Sequence, residues 1–552
     1  MPTQKLLPIF VSSIDGGMND ADAPWLIREN QAQLIENLDI DKIGQTARRA
    51  GVGDFGMRTD SPFGLWRAFD DVIGQDALFS IYEGNVFLST AAGVINQRAC
   101  GVSMTNTLHQ AWESRYLARR ATFVNSAQIA DSDPTLATML TVITDDNLFT
   151  QNVSMAPRCS VWWQNRLWCG DNIHQLDEET LWWSELEDGL SYSNFNTARI
   201  ESGIGGRLKA LQPIRSQVAP QMLVFKERAI AVIETYWGAS SSLLPIAADA
   251  LDPIKSSIRL VTENAGCVAT NSVQFVPGAP GGDVYFLSLD GIRAISRAQD
   301  DTLSGAGIPI SVAIQDTIDR VNFEHADKAV SEVFKDSYYL ALPLDGATEN
   351  THILQFNMRK PGWRIHTWRS KGLAVTRLNQ AQPRLWMQYN QSTLDCSTTA
   401  AASGFHLFQL FTTLDDVDST PVIFRLQTRA FIGNELNLQK RWDHVSVFFR
   451  NDATETMTVA LEYNLDNSSW VTFASLVAGG QPGAGVVLGE TPLPWGLDSG
   501  IFRKLKFTLS DINPGYTLQL RMTGQSDLGQ PIFYNIGISA EMLNDTYDNE
   551  IT

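Results

Sequence analysis

Short apolar runs that come in pairs, each pair joined by a few turn residues, recur from about residue 61 to 415 and restrict the chain to an all-β fold. They are densest between residues 158 and 237. Cys159-Ser160-Val161-Trp162-Trp163 turns at Gln164-Asn165 and returns through Arg166-Leu167-Trp168-Cys169. Leu181-Trp182-Trp183-Ser184 follows, and then Met222-Leu223-Val224-Phe225 pairs with Ala229 to Ile233 across Lys226-Glu227-Arg228. The run at Met222 has no polar alternate, so both of its faces should be covered. Further turns fall at Glu83-Gly84-Asn85, at Asn125-Ser126 and at Asp290-Gly291, the last a strong hairpin signal. Two more pairs join 338–342 with 353–356 and 385–387 with 405–408. One hairpin per roughly 50 residues is the length of a four-stranded propeller blade with its loops. The fold class expected is therefore all-β: a β-propeller of six to eight blades, seven favoured, with an N-terminal arm and a C-terminal β-sandwich.

In the arm, residues 1–60, Gly16-Gly17 supplies a turn. The segment 28–38 carries helix formers with Ala32, Ile35 and Leu38 as an apolar stripe, predicting a short helix. A second helix is expected at 311–322, capped by Ser311, with Ile314, Ile318 and Val321 on one face, packed on the propeller or against another subunit. From 416 to 552 seven alternating segments predict the sandwich: 423–430, 444–449, 456–463, 470–476, 502–509, 516–522 and 532–540. Residues 479–489 form a glycine-rich loop.

At 552 residues the chain holds several domains, and a net charge of −19 argues against an open basic surface that grips nucleic acid. No run reaches the ~18 apolar residues of a membrane helix, and the start does not read as a secretory signal, so cytoplasmic synthesis is expected. Five cysteines are too scattered for a disulfide framework. A two-residue turn at Gln164-Asn165 would set Cys169 opposite Ser160; a three-residue turn would set it opposite Cys159. Two buried thiols are the plainer reading.

Motifs for hydrolases, zinc proteases and nucleotide binding are absent. Gly203-Ile204-Gly205-Gly206 reads as a turn, not a phosphate loop, and Asp39, Asp41 and Gly44 lack the glutamate of a calcium loop. The acid pairs Asp70-Asp71, Asp145-Asp146, Glu178-Glu179 and Asp415-Asp416 fall in expected loops, where convergence on a substrate cannot be read. Asp466-Asn467-Ser468-Ser469-Trp470 has the look of an aspartate-box turn but lies in the sandwich. His174, His325 and His366 show no metal spacing. The tryptophans, Trp162, Trp163, Trp168 and Trp183, read as wedges between blades more readily than as sugar platforms. The expectation is no enzyme, no cofactor and no metal, with Trp162, Trp163, Arg166, Trp168, Trp183, Phe225, Asp290 and Gly291 as blade motifs.

Three stretches resemble one family. They are Gly16-Gly17-Met18-Asn19 with Asn37-Leu38-Asp39 and Arg49-Ala50-Gly51; Val161 to Trp168 with Trp183-Ser184 and Leu223 to Arg228; and Gly266-Cys267-Val268-Ala269 with Phe286-Leu287-Ser288, Asp290-Gly291-Ile292 and Ile310-Ser311. The chain is similar to the propeller-containing nozzle, or tail-tube, proteins of short-tailed bacteriophages. That resemblance implies a virion protein forming a homo-oligomeric ring, a hexamer, that meets a tail adaptor ring and tail fibres and passes genomic double-stranded DNA without binding it specifically. Ile314, Ile318, Arg48 and Arg49 are the expected subunit or adaptor contacts. Six copies at −19 each could repel a duplex that carries one charge per ~1.7 Å and so prevent sticking. The other reading is a receptor-binding or glycan-processing propeller of the virion.

Overall fold

The computed structural model of the protein describes residues 4–5, 9–11, 13–40, 45–58, 62–70, 75–82, 85–91, 94–98, 108–112, 121–125, 129–132, 140–143, 157–172, 177–186, 188–200, 203–214, 220–237, 251, 256–277, 282–297, 303–304, 307–377, 382–390, 405–413, 421–432, 438–450, 457–478, 487–488, 491–492, 503–509, 513–526 and 531–542. Among the described residues seven four-stranded antiparallel units follow one another, and each contains one of the seven hairpins expected from the sequence. Their first strands are Pro62–Asp70, Leu108–Trp112, Pro157–Trp163, Leu208–Ile214, Gln274–Val276, Val330–Phe334 and Gly372–Thr376. These lie side by side in a closed circuit, the last against the first. Blade seven takes its fourth strand from the arm: Val52–Arg58 pairs with Phe405–Leu410, so one unit is built from both ends of the propeller sequence.

Local chemistry explains the hairpins. Gln164 and Asn165 both have positive φ (51° and 62°), the twist that a two-residue hairpin turn needs. Trp163 therefore pairs with Arg166 and Ser160 with Cys169, and the thiols of Cys159, Cys169 and Cys267 are buried. Met222 to Phe225 are wholly buried, as a strand without a polar alternate must be.

All seven sandwich strands expected from sequence are present. In one sheet Lys440–Arg450 lies between Arg503–Thr508 and Ile532–Met542, and the arm strands Gln4–Lys5, Ile9–Val11 and Thr46–Arg48 add to the last of these. The other sheet runs Val422–Thr428, Leu518–Ser526, Met457–Leu465, Val471–Ala478. Val445, Val447, Phe449 and Ile538 of the first meet Phe424, Leu426, Val459 and Met522 of the second in one core. Of the glycine-rich loop 479–489, only 487–488 lie within the described residues.

Two expected helices are corrected. Residues 28–38 hold a turn and then the strand Ala32–Glu36, with no helix. That strand runs antiparallel to Val422–Thr428 and parallel to Gly362–His366 of blade six, so propeller and sandwich share one eleven-stranded sheet. A helix there would leave two sheet edges unpaired, a larger cost than the modest helix preference of the sequence. At 311–322 the helix shrinks to a 3-10 turn, Val312–Ile314, and five α-helical residues, Gln315–Asp319. Ser311 does not cap it; its hydroxyl accepts the Ile292 amide at 3.0 Å. Asp20 of the arm instead accepts the Thr317 amide at 3.1 Å.

Candidate functional site

Blade six carries an unusual face. In its antiparallel register Glu332, Tyr339, Gln355 and Arg364 stand in one row across four strands, flanked by a row of Phe334, Ser337, Asn357 and Gly362. Because side chains alternate, these residues share one side of the sheet with Ala341, Ile353 and His366. Near the first strand that side is closed by blade seven, through Leu373, Leu385 and Met387. Toward the fourth strand the cover changes to the arm, which contributes Asp39 and Arg49, and to Phe411. Between them lies a cavity of about 350 Å³.

Its floor is a chain of hydrogen bonds. The Gln355 Nε2 donates to Ser337 Oγ at 3.0 Å, which turns the Gln355 Oε1 toward His366 Nε2, 2.8 Å away. With the Gln355 oxygen on that side, the proton of His366 lies on Nε2. Nδ1 has no partner among the described residues, and His366 is only 1% exposed. Burial, reinforced by the positive charges of Arg49 and Arg364, holds this imidazole well below 6.5, so it is neutral. Arg364 Nη1 donates to Asp39 Oδ1 at 2.8 Å. Arg49 stacks over Trp368, 3.9 Å from the ring centroid, and its Nε donates to Asn37 Oδ1 at 2.9 Å. Tyr339 and Phe411 stand 6.0 Å apart as an aromatic wall.

At the rim the turns Lys335-Asp336 and Arg359-Lys360 come together, with Arg359 Nε 2.9 Å from Asp336. Five cationic side chains and two carboxylates line the cavity, an excess of positive charge in a chain whose net charge is −19. At the first-strand end of the same row, desolvation raises the half-buried Glu332 to about 7, against the Val333 amide and the charge of Arg67. No group of three or more His, Cys, Asp and Glu that could hold a metal occurs among the described residues.

The sequence did not single out this cavity. The signal it offers is a pair of polar residues two apart, Gln355 and Asn357, then Arg364 and His366, inside otherwise apolar strands.

The blade motifs lie elsewhere. Trp163, Trp168 and Trp183 form a wedge with Trp237 between blades three and four, with centroids 5.3, 5.0 and 6.2 Å from Trp168. Trp162 is half-buried on the opposite side of its strand. Arg166 donates to the Ser184 carbonyl at 2.7 Å and lies over Trp237. Phe225 packs on Phe286 at 5.0 Å between blades four and five. Asp290 pairs with Arg293, and Gly291, at φ 133°, leaves room for Ser311. The expected subunit contacts are corrected: Ile314, Ile318, Arg48 and Arg49 are each at most 2% exposed and are used inside the chain.

Gly203 donates its amide to Glu179 at 3.0 Å, and Gly205 packs against Ala229, so this segment is a turn. Asp466 accepts the amides of Tyr516 and Thr517, joining strands of the sandwich. Of the acid pairs, Glu178-Glu179 lies in a blade strand, while Asp71, Asp145-Asp146 and Asp415-Asp416 lie outside the described residues. So do Asp41, Gly44, Glu83, Gly84, Ser126 and His174.

No protein-family model and no curated protein matches the chain. Among solved structures it is similar to one titled glycoside hydrolase, at 9% identity over 95% of this chain and 99% of that one, with a TM-score of 0.25. It is also similar to an exo-β-1,3-galactanase from Phanerochaete chrysosporium, at 8% identity over 69% and 94%, TM-score 0.24. A third is the extracellular domain of a hybrid two-component system from B. thetaiotaomicron, at 9% identity over 83% and 56%, TM-score 0.38. The expectation of no enzyme is withdrawn on these matches, because proteins titled as glycoside hydrolases are among those similar in fold. At such TM-scores they carry no argument for the activity of this chain. What stands is an all-β propeller with a sandwich.

Proposed function

We propose that the chain is a structural subunit of a short-tailed phage tail, a nozzle or tail-tube component that assembles into a six-membered ring around the DNA path. One observation supports this reading above others. The arm closes blade seven through Val52–Arg58, and twenty residues earlier its strand Ala32–Glu36 welds blade six to the sandwich. A subunit whose two halves share one sheet resists bending between them, a stiffness that suits the wall of a pressurised conduit. Arm residues that carry the family resemblance, Gly17, Asn37 and Arg49, lie at this weld. Negative-stain imaging of assembled tails tests the proposal. A six-fold ring on the tail axis is expected, whereas three-fold peripheral appendages would reject it.

A second reading, a receptor-binding or glycan-processing propeller, is favoured by the polar cavity on blade six. Release of sugar from host-surface glycans by the purified chain would select it over the tail-tube reading.

A further inference from the structure

Blade six brings two hairpin turns together at one end of its sheet. The Met358 amide donates to the Asp336 carbonyl at 2.8 Å, and Arg359 Nε lies 2.9 Å from Asp336 Oδ2, so Lys335-Asp336 and Arg359-Lys360 form one rim. Asn357 Oδ1 accepts the amides of Arg359 and Lys360 at 3.0 and 3.1 Å, which fixes the second turn. Behind the rim is the cavity of about 350 Å³, with Arg49 and Arg364, each 2% exposed, on its buried side. The two carboxylates of the lining, Asp39 and Asp336, cannot neutralise its five cations. Charge acts through space, so the buried arginines add to the field at the rim without having to touch an ion there. Acids elsewhere on this chain of net charge −19 oppose that field only weakly, because salt screens exposed charges over ~10 Å.

We propose that this rim binds a divalent oxyanion of phosphate or sulfate chemistry, with Lys335 and Arg359 as its contacts. Both can meet an incoming ion: Lys335 is exposed at a turn, with φ 48°, and the Arg359 side chain is 78% exposed. The excess of positive charge selects for valence. In one field a divalent ion gains about twice what a monovalent carboxylate gains, and a neutral molecule gains nothing. Because the rim is open to solvent, the ion keeps part of its water, and the larger desolvation cost of a divalent ion is not met in full. Asp336 competes with the anion for Arg359, so it limits the affinity of the site. The inference stands apart from the tail-tube reading, since a ring subunit and a free propeller would carry the same rim.

Isothermal titration of the full-length protein with sodium sulfate, sodium phosphate, sodium acetate and galactose, at one ionic strength, tests it. Sulfate and phosphate should bind at least about tenfold more tightly than acetate, and galactose should give no heat of binding. Two variants then place the ion. Lys335→Asn, at an exposed position of positive φ that asparagine tolerates, should weaken sulfate binding about fivefold. Asp336→Asn, which removes the competing carboxylate, should tighten it by about the same factor. Both residues are exposed, so the melting temperature without added anion should stay that of the parent in each. A purely structural role for these side chains would not move the affinity in opposite directions. If either variant leaves sulfate affinity where it was, the ion sits elsewhere and the proposal fails. Acetate or galactose binding as tightly as sulfate, or no binding of sulfate and phosphate at all, would overturn it too.

Discussion

Asn37 makes every hydrogen bond its side chain can make, and it does so from a left-handed backbone at φ 54°. Its Nδ2 donates to Thr367 Oγ1 at 2.8 Å and to the Ile423 carbonyl at 2.7 Å, while its Oδ1 accepts Arg49 Nε at 2.9 Å and the Thr367 amide at 3.1 Å. One residue thus holds the arm, the end of blade six and the first strand of the sandwich. Asn37→Ala would leave several buried groups unpaired at ~1–3 kcal/mol each, so a loss of about 3 kcal/mol or more is expected in urea titration. Asn37→Asp should be about as damaging, because it turns an oxygen toward the Ile423 carbonyl; a variant as stable as the parent would show that the network is not made. Gly17 is constrained differently: at φ 78° a Cβ would lie 2.5 Å from Gly362 Cα. Gly17→Ala should therefore cost more than ~2 kcal/mol in the same assay. The sequence marked Gly17, Asn37 and Arg49 by resemblance, but their reasons were not legible in it. Two partners of Asn37, Thr367 and Ile423, stand 330 and 386 positions away, beyond any local pattern.

Blade six shows what an element adds to its residues. Hairpin spacing was readable because turns and apolar runs are local, and so were the sandwich strands. The strand Ala32–Glu36 was not, because its preference is set by two edges that only the assembled chain provides. The cavity was half legible: polar residues at alternate positions were visible, but not that the arm would cover them. The same face holds two titrating groups whose effects on stability oppose each other. Glu332 has a folded pKa of about 7, above its ordinary 4.5, so the folded chain keeps a proton that the unfolded chain releases. Its contribution is greatest below 4.5 and is lost as pH rises toward 7. His366 is depressed below 6.5, so the folded chain refuses a proton that the unfolded chain takes up, and stability is lost as pH falls below 6.5. Urea midpoints across pH 4.5–7.5 separate them. Glu332→Gln, which can still accept the Val333 amide, should gain stability relative to the parent as pH rises through this window. His366→Gln should gain as pH falls through its lower part. A Glu332→Gln difference that stays constant from pH 4.5 to 7.5 would mean that Glu332 titrates normally.

At the scale of the whole molecule, the outstanding feature is that propeller and sandwich are not two bodies on a linker. The eleven-stranded sheet crosses from one to the other, and the strand that carries it across belongs to the same arm that closes the ring of blades. Separate domains melt separately when few contacts join them. Here, opening blade six exposes one edge of Ala32–Glu36 and opening the sandwich exposes the other, so neither half can unfold without unpairing the strand they share. Calorimetry of the intact chain should accordingly give one transition whose van't Hoff and calorimetric enthalpies agree. Ile35 is the residue to break, since it lies in mid-strand opposite Leu426 and is wholly buried. Proline there removes a backbone donor and disrupts the ladder. Ile35→Pro should split the single transition into two, with the sandwich and the propeller melting apart. Two resolved transitions in the unaltered protein would instead show that the shared sheet does not couple the halves, and the stiffness on which the tail-tube reading rests would go with it.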